Sequence, residues 1–528
     1  MAKIENIWML TREYAGLAGA GGLKDVAKEL SEALVRAGHR VTVMMPRYGF
    51  VDYEALGFKD MGVSFEVDMN YAHEERREQV ELLSREINGV RIILIEADRY
   101  REKLGVYTYT EEEEAAEGWK KKGAGHFDYF AMNILLQKTA AEALITFDEK
   151  PEIIHCHDGH TACFPALVRE LEGFRQYFRA TGTVITVHNA GIGYHQDVAD
   201  LPFAKAITAL PWRVINENLL NGSFDPFLAG ARYGIINTVS EEYARELQET
   251  DLDALTSWLG HALKDRGIKL EGITNGINPD DYDPRHPERL GLPAAFDPLS
   301  GDLEGKKICR QRLIEELSGG QSGRARCHGK IKDRPGAPLI TAISRLTEQK
   351  GIDILAEALK GLLAEDQDFL VVILGTGTRE IEDQLISLAE NPEYQERMAV
   401  LIGYDPKLAN KIYAAGDFFV IPSKYEPCGL TDYMASLMGN LPIVRHTGGL
   451  VKVLDGVTGF AYKEHSPAAL SQTIRRAFRT FRQEPEKIKK MQQQAVKHIL
   501  ENYTWDKVVH RYLELYQRAR AMAPGVRG

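Results

Sequence analysis

Short apolar segments alternate with glycine-containing turns and amphipathic helices along most of this chain, and that pattern limits the possible folds more than any other feature. Residues 6–10 (NIWML) have the character of a buried strand, and a glycine-rich loop follows at 16–22. In residues 24–36 apolar side chains recur every four positions, which is helical spacing, and residues 40–45 (RVTVMM) read as the next strand. A strand, a helix and a strand in this order form a βαβ unit, which predicts a parallel sheet with right-handed crossovers.

The carboxy-terminal half repeats the pattern. Strands are predicted at 338–344 (PLITAIS), 369–375 (FLVVILG), 417–423 (DFFVIPS) and 441–449 (LPIVRHTGG). The uninterrupted apolar run at 369–375 is typical of a parallel strand that is covered on both faces. We therefore predict an α/β protein built from two Rossmann-like, doubly wound domains.

The boundary between these domains is predicted where turn-forming residues and prolines cluster, at 275–287 (NGINPDDYDPRHP). This places an amino-terminal domain at 1–280 and a carboxy-terminal domain at 281–500. Residues 318–337 contain several glycines and few apolar side chains, so we predict a mobile surface excursion there.

Charge and cysteine content exclude several classes of function. The 528 residues include 65 Lys and Arg against 76 Asp and Glu, a formal net charge of −11, which provides no overall attraction for nucleic acid or an anionic membrane. The five cysteines are far apart and contain no CxxC pair, so neither a disulfide framework nor a zinc finger is indicated. No apolar run approaches the ~18 residues of a membrane helix. We expect a soluble, reduced, cytoplasmic protein, with its oligomeric state left open.

Four segments could bind a ligand, because ligands of doubly wound sheets bind at the carboxyl ends of strands, beside helix amino termini. The first is AGAGGLKD (18–25), where glycines would let backbone N–H groups approach a phosphate. Tight packing between a strand and a helix would explain the same glycines. The segment alone is therefore a weak indicator of phosphate binding.

The second segment, IIHCHDGHTA (153–162), contains three histidines. Strand alternation places His155 and His157 on one face and Cys156 on the other, so these neighbours cannot all converge on one metal ion. Buried, hydrogen-bonded histidines are the simpler interpretation of the first two. His160 lies beyond the strand, where a hydrogen bond to a ligand is more natural.

The third and fourth segments follow predicted strands of the carboxy-terminal domain. Arg345 and Lys350, in ISRLTEQKG (343–351), could neutralise a diphosphate, although two solvated cations would have the same spacing. In the fourth segment, Glu426 begins EPCGL (426–430), and HTGGL (446–450) repeats the arrangement after the next strand. Two adjacent turns of this kind can hold phosphates and a sugar.

Taken together, the motifs resemble those of the bacterial glycogen synthase and plant starch synthase family, which are retaining glucosyltransferases of the GT-B fold. The resemblance covers nearly the whole chain. It includes GGLKDVAKELSEALVRAGHRVTVMMPRYG (21–49), HCHDGHTA, TVHN (186–189), NTVSEEYA (237–244), GITNGI (272–277), ISRLTEQKG, SKYEPCGLT (423–431) and RHTGGL (445–450). It implies two Rossmann-like domains facing across a cleft, with a helix in 501–528 crossing back to the first domain.

The resemblance also implies roles for individual residues. Glu426 would bind the donor glucose, and Arg345 and Lys350 would pair with the departing phosphate. His160 would contact the glucose, with Asn275 nearby. Residues expected to contact the substrate mainly through their backbone or small side chains are Gly21, Gly22, Cys428, Gly429, Leu430, Thr431, Thr447, Gly448 and Gly449. The family implies no metal and no organic cofactor.

The function implied is transfer of glucose from ADP-glucose to the non-reducing end of an α-1,4-glucan with retention. Many other GT-B enzymes carry a second glutamate eight residues after the first; here that position is Met434, which favours a glucan synthase. The alternatives are the same transfer from UDP-glucose or to another acceptor, and a catalytically weak homologue that only binds glucan or nucleotide. We find no sequence context for the cofactor lysine of a pyridoxal-dependent phosphorylase.

Five positions depart from the family pattern. Gly19 stands where the family's glycine loop has a lysine, and Gly159 where it has a tryptophan. Glu241 replaces a proline, Asp432 a glutamine and His446 an arginine. Lys24, just inside the first helix, could supply the cation that Gly19 lacks.

Overall fold

A computed structural model describes residues 4–526 of the chain. Its contacts divide the chain into two compact units. Unit 1 contains the described residues up to Gly276 together with those from Trp505 onward, and unit 2 contains Ile277–Thr504.

Unit 1 is built on a nine-stranded sheet and a separate two-stranded hairpin. The strands of unit 1 are β1 (Asn6–Leu10), β2 (Arg40–Pro46), β3 (Lys59–Asp68), β4 (Arg77–Ile87), β5 (Val90–Glu96), β6 (Ile153–His157), β7 (Gly182–Val187), β8 (Leu219–Leu220), β9 (Ser223–Phe224), β10 (Ile235–Thr238) and β11 (Glu271–Gly272). The large sheet has the order β11-β10-β7-β6-β1-β2-β5-β4-β3, and β8 pairs with β9. All neighbours from β11 to β5 are parallel, whereas β4 and β3 extend the sheet in antiparallel pairing.

Helices cover this sheet because crossovers between parallel strands place them on its faces. The first, predicted from its apolar spacing, buries Val26, Leu30 and Leu34. The helices of unit 1 are α1 (Leu23–Arg36), α2 (Asp98–Arg101), α3 (Glu111–Ala116), α4 (Tyr129–Thr146), α5 (Phe164–Glu170), α6 (Glu172–Arg175), α7 (Leu201–Thr208), α8 (Trp212–Glu217), α9 (Pro226–Ala231), α10 (Glu241–Glu249), α11 (Leu259–Asp265) and α20 (Trp505–Met522), with a 3-10 helix at Asp251–Thr256.

The last helix, α20, packs into the core of unit 1. Its Tyr512 and Tyr516 side chains are fully buried. The hydroxyl of Tyr516 lies 2.8 Å from Nδ1 of His155 on β6. The carboxy-terminal end of the chain is therefore part of the unit that its amino-terminal half forms.

Unit 2 is built on a seven-stranded sheet. Its strands are β12 (Arg326–Ile331), β13 (Leu339–Leu346), β14 (Leu370–Gly377), β15 (Arg397–Ile402), β16 (Phe418–Ile421), β17 (Leu441–Arg445) and β18 (Phe460–Tyr462). The order is β12-β15-β14-β13-β16-β17-β18, and every pair is parallel except β12 with β15. The helices are α12 (Pro287–Leu290), α13 (Glu304–Ser318), α14 (Ile352–Glu365), α15 (Arg379–Ala389), α16 (Pro406–Ala415), α17 (Thr431–Leu437), α18 (Pro467–Gln483) and α19 (Pro485–Asn502), with 3-10 helices at Pro279–Tyr282, Glu348–Lys350, Pro392–Tyr394 and Gly448–Lys452.

The mobile surface excursion predicted at 318–337 contains a regular strand in its central part. Residues 326–331 form the edge strand β12, which pairs along its length with β15. The pairing uses backbone groups, and only Ile331 of the strand is fully buried, so the side chains give little apolar alternation. An edge strand of this kind has almost no signal in the sequence.

Both sheets reverse their strand order at one place. In unit 1 the order runs outward from β1 toward β2 and β5 on one side and from β6 toward β7 on the other. In unit 2 the same reversal lies between β13 and β16. Ligands of doubly wound sheets bind outside the carboxyl ends of the strands at such a switch point. The segments after β1 and β6, and those after β13 and β16, therefore lie where a fold of this kind binds its ligands.

Among the helices of residues 4–526, none is both long and apolar enough to cross a membrane.

Candidate functional site

In unit 1, the glycine loop after β1 is held by a carboxylate from the chain itself. Oε2 of Glu13 accepts hydrogen bonds from the backbone N–H groups of Ala20 (2.7 Å) and Gly21 (2.9 Å). Its other oxygen, Oε1, accepts a 2.5 Å hydrogen bond from the hydroxyl of Tyr107. The Gly21 amide, which we expected to face a substrate, is thus bonded to Glu13 in this structure.

Lys24 folds back over the same loop. Its ammonium lies 2.7 Å from the Asp25 carboxylate and 3.2 Å from the carbonyl oxygen of Gly21. A Cβ atom added to Gly19 would lie 2.3 Å from Cδ of Lys24. The aliphatic part of Lys24 therefore occupies the space into which a side chain at position 19 would project.

His160 joins this loop through Tyr107. The two rings stack with their centroids 4.8 Å apart, and His160 is only 3% exposed. Burial, together with the nearby Arg12 guanidinium, holds the pKa of His160 well below its usual value, so the ring is neutral. Within the described residues its buried Nδ1 has no hydrogen-bond partner. A buried polar atom without a partner is unusual and is consistent with a group that binds a ligand. Gly21, Glu13, Tyr107 and His160 thus form one connected set.

Asp158, next to His160, has a strained backbone and a perturbed acidity. Its φ angle is +59°, a left-handed conformation that non-glycine residues seldom adopt. Its Oδ1 accepts hydrogen bonds from the N–H groups of His188 (2.6 Å) and Asn189 (3.4 Å). Burial nevertheless raises the pKa of Asp158 to about 8. Strain and a shifted pKa often occur together at functional sites.

Gly159, which replaces the family's tryptophan, is required by a close backbone contact. A Cβ atom there would lie 2.3 Å from the carbonyl oxygen of His195 and 2.6 Å from that of Tyr194. The loop at 194–195 therefore fills the space beside position 159. Neither a tryptophan nor any smaller side chain fits there without moving that backbone.

The histidines of β6 take part in hydrogen bonds within the core. Nε2 of His155 lies 2.7 Å from Oγ1 of Thr186, and Nδ1 of His157 lies 2.9 Å from Nε2 of His188. In the part of the chain that the structure describes, no group of three or more His, Cys, Asp or Glu residues is arranged to hold a metal ion.

Two other departures from the family pattern have structural partners. Glu241 bonds to Oγ1 of Thr274 (2.6 Å) and to Arg511 of α20. Nε2 of His446 lies 2.8 Å from the carbonyl oxygen of Val453. Both side chains are engaged in holding their own unit together. Of the other site residues expected in unit 1, Gly22 directly precedes α1, and Asn275 is buried with 3% exposure.

In unit 2, the switch point carries an ion pair between a half-buried lysine and a buried glutamate. Nζ of Lys350 lies 2.9 and 2.7 Å from the two carboxylate oxygens of Glu426, and the hydroxyl of Ser423 donates a 2.8 Å hydrogen bond to Oε2. Burial works to raise the pKa of Glu426, but the Lys350 ammonium and the Ser423 hydroxyl outweigh it and hold that pKa below its usual value. Glu426 is therefore a carboxylate at neutral pH.

Arg345 lies on the exposed side of the same switch point. Its guanidinium donates a 3.3 Å hydrogen bond to the side-chain oxygen of Gln349. The carbonyl oxygen of Gln349 in turn accepts from the N–H of Lys424, which connects the segment after β13 to the segment after β16. Arg345 is exposed, so its charge is accessible to an anion from solvent.

The turns at 426–430 and 446–450 touch backbone to backbone. The N–H of Gly449 donates to the carbonyl oxygen of Glu426 at 3.0 Å. A Cβ atom at Gly448 would lie 1.9 Å from that same oxygen, and one at Gly449 would lie 2.0 Å from the carbonyl oxygen of Cys428. These two glycines are needed for the turns to meet. Thr447 is buried beside them, and the first turn leads into α17 through Leu430 and Thr431.

Sequence reasoning identified Lys350 and Glu426 separately but did not predict their ion pair. It also missed Glu13, Tyr107, Asp158 and a buried lysine, Lys452. Two of these had a usable signal: Glu13 follows the first strand, and Lys452 is a single charge within an apolar stretch. Tyr107 lies in a long connection between α2 and α3, where the sequence offers no indication of its partner.

The two switch points differ in the chemistry they can perform. Unit 2 combines two cations with a buried carboxylate, which suits an anionic leaving group next to a hydroxyl-bearing substrate. Unit 1 presents a neutral buried histidine, an acidic side chain of high pKa and a carboxylate-bound glycine loop. Such groups suit hydrogen bonding to an uncharged polyhydroxylated molecule.

Two family models match the chain. One, described as the starch synthase catalytic domain, matches residues 6–263, and the other, glycosyl transferases group 1, matches residues 325–498. A glycogen synthase from Streptococcus pneumoniae serotype 2 is 31% identical over 524 residues, which cover 97% of this chain and 98% of that protein. A glycogen synthase from Moorella thermoacetica is 31% identical over 528 residues, with 98% of each chain covered.

Solved structures show the same fold. The catalytic domain of starch synthase IV from Arabidopsis thaliana, bound to ADP and acarbose, superposes with a TM-score of 0.80 at 24% identity, covering 98% of this chain and 100% of that one. A sucrose-phosphate synthase from Thermosynechococcus elongatus superposes with a TM-score of 0.55 at 16% identity, covering 98% and 99%.

Proposed function

The chain belongs to the family of glycogen synthases and starch synthases, and we propose that it transfers glucose from ADP-glucose to the non-reducing end of an α-1,4-glucan with retention of configuration. It is a glycosyltransferase of the GT-B fold, as the sequence motifs predicted. The donor, the acceptor and the roles of single residues are the parts that we propose.

The Lys350–Glu426 ion pair at the switch point of unit 2 carries this proposal. Glu426 is buried and ionised, so it can accept hydrogen bonds from the hydroxyl groups of the donor glucose. Lys350 neutralises that carboxylate, and with Arg345 it supplies positive charge where a diphosphate would leave. Cations that are already in place stabilise developing negative charge without the cost of reorganising solvent.

The transfer needs no further reactant. The bond between C1 of glucose and the β-phosphate oxygen breaks, and a bond forms between C1 and the 4-hydroxyl oxygen of the glucan. The 4-hydroxyl proton passes to the departing phosphate, and ADP leaves. Attack on the face from which the phosphate departs gives retention. Arg345 and Lys350 stabilise the diphosphate, and Glu426 orients the glucose.

The groups of unit 1 suit the sugar side of the reaction. Nδ1 of His160 is buried without a partner among the described residues, so a sugar hydroxyl would supply its missing hydrogen bond. Tyr107 fixes the ring of His160 by stacking, and Glu13 fixes Tyr107 and the glycine loop together. We assign His160 a contact with glucose on this basis.

The choice of ADP-glucose over UDP-glucose rests on the relatives rather than on a base-recognising residue. The starch synthase IV structure contains ADP. One observation favours the weak-homologue alternative: Lys24 is paired with Asp25, and the Gly21 amide is bonded to Glu13, so this loop presents little positive charge. A measurement of turnover decides between an active synthase and a weak homologue.

The deciding experiment supplies glycogen with ADP-glucose and UDP-glucose in parallel and measures released nucleoside diphosphate and glucose incorporated into glycogen. We expect release from ADP-glucose that depends on glycogen, and new linkages that an α-1,4-specific exohydrolase removes. Glu426→Gln should abolish most of this signal. Glu348→Gln, the same chemical change at an exposed position of the 3-10 turn before α14, is the matched control. Absence of glucan-dependent release from either donor would overturn the proposal.

A further inference from the structure

A buried lysine, Lys452, lies between the two turns of unit 2 and has no assigned role. It ends the 3-10 helix Gly448–Lys452, and its side chain is only 5% exposed. A lysine is seldom buried unless its charge and its donors have partners. The identity of those partners indicates what it does.

All three donors of the ammonium are bonded to backbone carbonyl groups of the turns. Nζ of Lys452 lies 2.7 Å from the oxygen of Cys428, 2.8 Å from that of Gly429 and 3.0 Å from that of Gly449. Two of these carbonyls belong to the turn after β16 and one to the turn after β17. Because an ammonium has three N–H groups, these contacts use its full hydrogen-bonding capacity.

Two further groups stabilise the charge of Lys452. Oδ1 of Asp432 lies 3.2 Å from Nζ, and because the three donors point to carbonyls, this contact is electrostatic rather than a fourth hydrogen bond. The ring of Tyr433 lies with its centroid 4.4 Å from Nζ, within range of a cation–π contact. Lys452 and Asp432 thus form a buried pair.

The carbonyl contacts determine which way the turn amides point. A peptide bond is planar and trans, so each N–H points opposite to the carbonyl of the preceding residue. Because the carbonyls of Cys428 and Gly429 point toward Lys452, the N–H groups of Gly429 and Leu430 point away from it. Lys452 therefore sets the direction of two consecutive amide donors, the arrangement that forms an anion-binding concavity.

We propose that Lys452 is a positioning residue that locks the turns 426–430 and 446–450 together and turns the Gly429 and Leu430 amides toward the donor diphosphate, without touching it. The inference rests on the proposed function, since it assumes that a nucleoside diphosphate binds at these turns. Lys452 also helps to position the backbone of Glu426, because the N–H of Gly449, in the second turn, donates to the Glu426 carbonyl in the first.

The test measures the dissociation constant of ADP by calorimetry for wild type and Lys452→Met, together with turnover and the midpoint of thermal unfolding. We expect ADP to bind at least about tenfold more weakly, since several ordered donors lose their fixed direction. The KM for glycogen should change little. Unchanged ADP binding in a folded Lys452→Met protein would overturn the inference.

Lys306→Met separates positioning from simple burial. Lys306 is also buried in unit 2, and its ammonium donates to the carbonyls of Ala414 (2.8 Å) and Met438 (3.0 Å), away from both turns. Its replacement should lower the unfolding midpoint by a comparable amount while leaving ADP affinity within about twofold of wild type. If both variants weaken ADP binding equally, the effect comes from general destabilisation and the inference fails.

Changes at Asp432 separate the carbonyl contacts from the charge. Asp432→Asn retains the three carbonyl bonds of Lys452, so ADP affinity should stay near the wild-type value; a loss as large as that of Lys452→Met would overturn the inference. In Lys452→Met/Asp432→Asn, the unpaired buried carboxylate is removed, so stability should recover but ADP affinity should not. If Lys452→Met does not fold, the double variant replaces it. Failure of the proposed function is visible separately, in wild-type turnover.

Discussion

The two units have the same sheet topology at their switch points but fill them with opposite chemistry. In unit 1, the segment after the first strand carries Glu13, which bonds to the amides of its own glycine loop. In unit 2, the segment after β13 carries Lys350, which bonds to a carboxylate from the segment after β16. Topology thus determines where a site lies, and the side chains at the strand ends determine its charge.

The difference also concerns how each glycine-rich turn is stabilised. The unit 1 loop is fixed by an anion that accepts from amides, whereas the unit 2 turns are fixed by a cation, Lys452, that donates to carbonyls. In the first arrangement the amide donors are already hydrogen-bonded to Glu13. In the second, the amide donors of Gly429 and Leu430 point away from Lys452. A glycine-rich turn after a strand therefore does not by itself indicate a phosphate site.

The largest expected effect is that of Glu426→Gln. Loss of the charge should lower turnover by roughly a hundredfold or more, as removal of a preorganised transition-state contact commonly does. ADP affinity should change much less, because the carboxylate is proposed to face the sugar. Steady-state rates and calorimetry measure the two quantities. Turnover near the wild-type value would show that glucose transfer does not require the negative charge of Glu426.

Arg345→Ala should have the next largest effect. An exposed guanidinium that contacts a diphosphate contributes a charged hydrogen bond, so kcat/KM for the donor should fall by about ten- to a hundredfold. Arg379→Ala is the control, because Arg379 is an exposed arginine of α15 that lies 3.6 Å from Asp383. Equal losses in the two variants would indicate a general effect of surface charge.

A smaller effect tests whether the unit 1 loop supplies a cation through Lys24. We expect Lys24→Ala to lower kcat/KM for the donor several-fold, and Gly19→Lys added to it to restore part of the loss. Gly19→Lys alone must displace Lys24, since a Cβ there would lie 2.3 Å from Cδ of Lys24. Lys28→Ala, on the same helix, is the control. An unaffected Lys24→Ala enzyme would show that the loop contributes no cation.

The smallest effect concerns the contribution of Asp158 to the stability of the protein. Because burial raises the pKa of Asp158 to about 8, the folded state holds a proton that the unfolded state has lost above the ordinary aspartate pKa. Stability should therefore fall as pH rises toward 8 and level off above it. Asp158→Asn should raise the unfolding midpoint by a few degrees at pH 8 and less at pH 5.

The exposed Asp251→Asn is the control for this measurement. Thermal unfolding of both variants at the two pH values gives the comparison. An equal shift of Asp158→Asn at both pH values would contradict a raised pKa.

The sequence predicted the architecture well because the signal is repeated in every βαβ unit. The helix expected at 24–36 matches α1, and all but the first residue of the apolar run at 369–375 lies in β14, where these residues are buried. The edge strand β12 was not predicted because only one of its side chains is fully buried, so its sequence lacks an apolar pattern. Two doubly wound domains are thus confirmed, both by the strand orders and by the structural match.

The candidate site was only partly predictable. The segments proposed from the sequence do follow strands of the two sheets, but the partners within them come from residues far apart in sequence, such as Lys350 and Glu426. Lys452 is an example of what periodicity cannot reveal. Its apolar neighbours predict burial, yet only the three-dimensional structure shows that its donors meet three carbonyls of two turns.

The return of α20 into the core of unit 1 affects the order in which the chain can fold. Unit 2 is one uninterrupted stretch, whereas unit 1 lacks Tyr512 and Tyr516 until the last helix has been synthesised. The sheet of unit 2 can therefore form before His155 has made its hydrogen bond with the hydroxyl of Tyr516. In chains that end near residue 504, we expect unit 2 to resist protease. The side of β6 and β7 that α20 covers should remain accessible to chaperones in these chains.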